Sequence, residues 1–135
     1  MMKKKLVKIM CTGLVASAII STSAFAAGRQ KYTAYKLPAR QGNNYTGTHT
    51  KETTKDYITN EVTAVSSTDT VTFWATNKDH DQISGDYNQK SGNRSELKFS
   101  QSGYDKTGAQ VAMGMENANW KLNTTAFVSG WANFH

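Results

Sequence analysis

A catalytic reading of this chain has to begin with His49, His80 and the carboxylates around them. Asp79-His80-Asp81, with Asp86 close behind, puts oxygen donors beside an imidazole, the materials of a small metal site. The run lacks the glycine turn and the terminal acidic ligand of a calcium loop, and one imidazole without thiolates is a poor zinc set. It reads as a charged surface turn. Serines and aspartates are plentiful enough to assemble a Ser/His/Asp set on paper, but none sits in a nucleophile turn. The residue types therefore predict a binding protein with no resident metal or cofactor, not an enzyme.

Binding chemistry is better supplied. Trp74 stands among threonines, Tyr45, Tyr87 and Tyr104 lie near turns, and Asn, Gln and Thr are abundant. A ring that stacks on a sugar, ringed by amides and hydroxyls, makes a shallow glycan platform; a ring tucked beneath a neighbouring strand is the competing structural outcome. Arg29, Lys31, Lys36 and Arg40 form a second set, suited to an anionic envelope polymer or lipid surface, or simply to a solvated edge that resists aggregation. Nucleic acid is not an expected partner, because these cations come without a recognition helix or a stacking motif. The end of the chain, Trp131-Ala132-Asn133-Phe134-His135, is aromatic, as bilayer-interface segments are, and is equally read as a strand closing the fold.

The first residues predict export. Lys3, Lys4, Lys5 and Lys8 precede an apolar run over 9–20, and Ala24 and Ala26 occupy the −3 and −1 positions of a small-residue cleavage site before Ala27. The apolar run is shorter than the roughly 20 residues that span a bilayer. Residues 1–26 are thus expected to be a secretory signal peptide and 27–135 a single secreted, extracellular domain. The one cysteine, Cys11, leaves with the leader, so neither a disulfide nor a lipid anchor is expected in the product.

Removal of the leader changes the charge. The full chain has 16 basic and 10 acidic residues, but residues 27–135 keep 12 and 10, a net of +2. Six basic residues against Glu52 alone lie in 27–55, and six against nine in 56–135. The product is a basic head on a mildly acidic body.

The elements that must carry these side chains are strands. Residues 69–77 (DTVTFWATN) alternate with period two, Val71, Phe73 and Ala75 on one side and Thr70, Thr72, Trp74 and Thr76 on the other. Similar short runs occur at 30–37, 45–54, 57–65, 82–89, 94–100, 109–116 and 120–134, separated by turn residues, and no window has the apolar stripe of a helix. Residues 57–65 and 69–77 are expected to pair as a hairpin. About eight strands in about 109 residues fit a two-layer antiparallel β-sandwich, an all-β fold, with a small closed β-barrel as the alternative.

The distribution of Tyr45-Thr46, Thr53-Thr54, Thr72-Phe73-Trp74, Ile83-Ser84, Glu116-Asn117 and Val128-Ser129-Gly130-Trp131 resembles that of a family of small exported proteins of Gram-positive bacteria, catalogued as a domain of unknown function. It departs at the end, where the family carries acidic residues after the tryptophan and this chain has Ala132-Asn133-Phe134-His135. The leader, small β domain and aromatic end are also similar, more loosely, to lactococcin-type bacteriocins. These resemblances imply a role at the cell envelope, with bacteriocin-like antagonism as its most concrete form. A carbohydrate- or cell-wall-binding module is the alternative, and a monomer with strand edges open to self-association is expected.

Overall fold

A computed structural model describes residues 29–121 and 123–135. The expected leader, 1–26, and its cleavage site at Ala24, Ala26 and Ala27 lie outside them. The described chain forms nine strands: β1 (Arg29–Leu37), β2 (Asn44–Tyr45), β3 (His49–Thr50), β4 (Tyr57–Ser66), β5 (Val71–Asn77), β6 (Tyr87–Gln89), β7 (Arg94–Lys98), β8 (Gln110–Asn117) and β9 (Ala126–Asn133). They make two antiparallel sheets. Sheet I has the order β1-β9-β4-β7; sheet II has β2-β8-β5-β6, with β3 also paired to β8. The two sheets face each other as a sandwich and neither closes into a barrel.

Strand alternation builds the layer between them. Ile58 and Val62 of β4, Leu97 of β7, and Ala126, Val128 and Ala132 of β9 meet Val71, Phe73 and Ala75 of β5 and Val111, Met113 and Met115 of β8, all essentially inaccessible to water. Burying a side chain of this size stabilises the fold by about 1.5–3 kcal/mol each. One polar network crosses the same layer. Tyr32 donates its hydroxyl hydrogen to Asn60 Oδ1 at 2.8 Å, Asn60 Nδ2 donates to Gln89 Oε1 at 2.8 Å, and Gln89 Nε2 returns to the Asn60 carbonyl at 3.2 Å. Because each buried polar group finds a partner, the network fixes β6 against β1 and β4.

Sheet I bends around one point of β9. The pairing slips between Val128 and Gly130 on the β1 side and between Ser129 and Gly130 on the β4 side. Ala34 takes a positive φ of 51° there, and its N–H donates to Ser129 Oγ at 2.8 Å. A Cβ at position 130 would lie 2.2 Å from the Glu61 carbonyl oxygen and 2.6 Å from the Tyr32 hydroxyl, so glycine is what lets the bulged neighbours close in.

The expected hairpin between 57–65 and 69–77 does not form. β4 pairs with β9 and β7, β5 with β8 and β6, and the chain crosses from one sheet to the other through 67–70, where Ser67 has φ 66°. A crossover gives each strand two ladder partners and lets both bury an apolar face against the other sheet. The run 45–54 is likewise two short strands, and 82–89 is mostly irregular, touching its neighbours through Thr76–Gln82 and Ser84–Phe99 bridges.

Candidate functional site

The outward residues of sheet I lie in register rows. One row runs Lys31, Trp131, Glu61, Arg94 across β1, β9, β4 and β7; the next runs Arg29, Asn133, Thr59, Glu96. Four strands thereby converge cations, amides and an indole on one patch. The guanidinium carbon of Arg29 sits 4.6 Å from the Trp131 ring centre and Lys31 Nζ 5.8 Å from it, close enough for cation–π attraction. Arg29 Nη2 also bonds Glu61 Oε1 at 3.0 Å, an exposed pair worth at most about 1 kcal/mol. Arg29, Glu61 and Trp131 line an open cavity of about 140 Å³ with Thr59, Arg94, Asn133 and His135.

His135 forms one wall. Its Nε2 is 2.9 Å from Thr59 Oγ1, its main-chain N–H donates to Asn133 Oδ1 at 2.9 Å, and its ring meets Tyr57 edge-on. Partial burial depresses the imidazole pKa, and Lys51, Lys55 and Arg94 depress it further against the smaller opposing pull of Glu96. Both the partial burial and the net positive field favour the neutral imidazole.

The basic and aromatic character continues along β1 and β9. Phe127, 40% exposed, lies opposite Lys36. Beyond the strand ends, the Gln41 amide reaches the Ala118 carbonyl at 3.5 Å, which ties the loop of exposed Arg40 to the loop carrying Trp120 and Lys121. Trp120 is 60% exposed, with Lys121 Nζ 5.8 Å from its ring centre. Trp120 and Phe127 are the large hydrophobic side chains that stand exposed among the described residues.

The residues singled out from sequence divide between this face and others. Arg29 and Lys31 flank Trp131, Lys36 extends the same face and Arg40 lies at its tip. Trp74 and Tyr45 come together elsewhere, on the outer side of sheet II, where both align with Gly114 of β8. Trp74 is only 6% exposed: its indole lies over Gly114, and Tyr45 meets it edge-on at 6.2 Å. The ring thus takes the buried alternative and offers no open stacking platform. His80 stacks on Tyr45 at 3.9 Å, while His49 stacks on Phe134 at 4.1 Å, so the two histidines lie on opposite sides of sheet II. Asp79 contacts Lys78, and Asp81 accepts from Asn77, so the Asp79-His80-Asp81 side chains turn to separate partners. Tyr87 and Tyr104 join neither patch. Both pack against the core; Tyr87 accepts the Lys98 N–H, and Tyr104 meets Phe99 edge-on.

On the outer side of sheet II the Glu116 carboxyl is held above its usual pKa by partial burial and by Asp86, and Gln41 Nε2 bonds it at 3.3 Å. At the end of the sandwich Lys51 is fully buried, with Nζ donating to the Phe134 carbonyl at 3.2 Å and lying 5.5 Å from the Phe99 ring. Burial lowers its pKa, with Asp56 and Asp105 opposing.

Sequence reading offers Trp131, Asn133 and His135 only as part of an aromatic end, either interface segment or closing strand, and gives Thr59, Glu61, Arg94 and Phe127 no contact role. The unbroken alternation of Phe127, Ser129, Trp131 and Asn133 along β9 was a usable signal, since the register slips beside Gly130 add their extra residues to β1 and β4 and leave the phase of β9 intact. Arg94 had no local signal, since only the pairing of β7 with β4 brings it there. No protein family model matches this chain, and no curated protein shows significant similarity to it.

Proposed function

We propose that the protein is a secreted envelope-binding module that lays the β1/β9 side of sheet I and its adjoining tip against an anionic surface. The observation that carries this reading is a strip along β1 and β9, where Arg29, Lys31 and Lys36 lie beside Trp131 and Phe127, with Arg40, Trp120 and Lys121 exposed in the adjoining loops. Cations draw a polyanion in from a distance, and exposed rings add desolvated contact once it has docked. Bacteriocin-like antagonism is the form of this activity that the leader and the layout favour, acting as a monomer outside the cell. The carbohydrate-binding alternative loses its platform with the burial of Trp74.

Co-sedimentation with cell-wall and membrane fractions tests the proposal. Binding should weaken as salt rises and fall at least about tenfold in a Lys36→Gln/Arg40→Gln/Lys121→Gln variant, which removes charge without touching the core. Binding that ignores both salt and these substitutions would sink the reading. Killing of related bacteria by the purified protein, lost in the same variant, would extend it to antagonism.

A further inference from the structure

We propose that the cavity between Arg29 and Arg94 is a phosphate site, shaped to take a phosphate or phosphodiester group. The proposal rests on the envelope-binding reading and narrows its ligand to a phosphorylated polymer.

The donors are in place, and only Arg29 is engaged, by the Glu61 carboxylate that shares the cavity wall. Arg94 stands opposite Glu61 in the β4/β7 register, yet the Glu61 carboxylate bonds Arg29 instead. The Arg94 guanidinium makes no hydrogen bond or ion pair to a described residue, which leaves all five of its N–H groups free. The Asn133 amide oxygen is taken by the His135 N–H, so its NH₂ is the half available to a ligand. Arg29 uses one N–H on Glu61 and has others to give. A tetrahedral anion offers oxygens in several directions to such separated donors, whereas a planar carboxylate engages one guanidinium fork. The cavity volume of about 140 Å³ is several times the roughly 30 Å³ of a water molecule, room enough for a phosphate with part of its shell.

The groups facing His135 supply a readout. Lys51, Lys55 and Arg94 press its titration down, and Glu96 alone opposes them. An anion seated beside Arg94 would stabilise the imidazolium and drive the titration back up. His49 and His80 lie on other faces and serve as internal references.

The experiment follows the three histidine Cε1–H resonances against pH in the labelled protein, at constant ionic strength. Sodium chloride, sodium acetate, inorganic phosphate and a glycerol phosphate oligomer are compared. Phosphate or the oligomer should raise the His135 midpoint by about half a pH unit or more, leaving His49 and His80 in place. Arg94→Gln should abolish the rise and Lys106→Gln, at an exposed lysine outside the strip, should keep it, with amide spectra showing both folded. No response beyond chloride, an equal response to acetate, or a response that survives Arg94→Gln overturns the site. A response to inorganic phosphate without one to the oligomer supports the site and removes its link to the envelope. If Arg94→Gln loses phosphate but still co-sediments with envelope fractions, the strip reading stands without requiring this cavity. If no phosphate is bound by the parent protein while co-sedimentation persists, only the phosphate proposal falls.

Discussion

Replacing Gly114 by alanine tests how sheet II holds its tryptophan. A Cβ at 114 would stand 2.4 Å from both Cε2 and Nε1 of Trp74 and 2.7 Å from Cζ2, well inside contact distance. The indole is rigid and Tyr45 bounds its far side, so the ring must lift or the strands must part. Overpacking of this kind costs about 1–3 kcal/mol. Full expulsion of the ring sets the ceiling, since a tryptophan buries about 150–250 Å² and loses about 4–6 kcal/mol at 25 cal/mol/Å². We expect Gly114→Ala to destabilise by about 2–4 kcal/mol, between those limits. With a urea slope of about 1–1.5 kcal/mol/M for a domain this size, the unfolding midpoint should fall by roughly 1.3–4 M. The decisive measurement is the double-mutant cycle. In a Trp74→Ala background the clash is gone, and alanine should stabilise β8 by about 0.5–1 kcal/mol over glycine, so the sign reverses. An unchanged midpoint for Gly114→Ala, or the same loss in both backgrounds, would refute the packing argument.

Gly130→Ala should be harsher than Gly114→Ala, because its Cβ meets the Glu61 carbonyl, which is backbone held in a ladder; loss of cooperative unfolding, or a stability loss above about 3 kcal/mol, is expected in the same urea assay. Tyr32→Phe leaves Asn60 Oδ1 without its donor in the core and should cost about 1–3 kcal/mol, read from thermal unfolding. The His49 imidazole, lowered to about 4 by burial, is neutral when folded while the unfolded ring titrates near 6.5. The unfolded state therefore binds more protons between those values, and stability should fall as pH drops from about 6.5 through 4, by an order of 1–2 kcal/mol after allowing for partial exposure; His49→Phe should flatten that part of the pH–stability curve. For Lys51 the folded pKa lies below the ordinary 10.5, so its burial penalty is constant below the folded value and is relieved as pH climbs toward 10.5. Lys51→Met should be as stable as the parent or more so at pH 7, and should lack the parent's rise in alkaline solution, as denaturant melts at pH 7 and 10 would show.

The all-β class was legible because alternation is a local property. Val71, Phe73 and Ala75 do face the core, and the apolar set Val111, Met113 and Met115 faces them from β8. What alternation does not carry is the partner of each strand. Residues 57–65 and 69–77 look like a hairpin from their spacing, and they part because each finds a longer ladder in a different sheet. The contact residues follow the same division. Arg29, Lys31, Lys36 and Arg40 were visible as a basic head, since charge density is written in the chain. The meeting of Arg29 and Lys31 with Trp131, and of Arg29 with Arg94 around one cavity, depends on β9 running through the middle of sheet I, between β1 and β4, instead of closing an edge.

Sequence alone determined which side of 69–77 is apolar, that the basic residues cluster early, and that Trp74 is the odd ring on a threonine face. Tertiary structure decided the fate of that ring: Gly114, far along the chain but brought directly opposite by the β5/β8 register, gives it a floor, and Tyr45 covers it. It also decided that Arg94 stands beside a carboxylate already engaged by Arg29. The physical reason is common to both. A side chain's type and face are set by its own strand, but its burial and its free donors are set by whatever the register brings opposite.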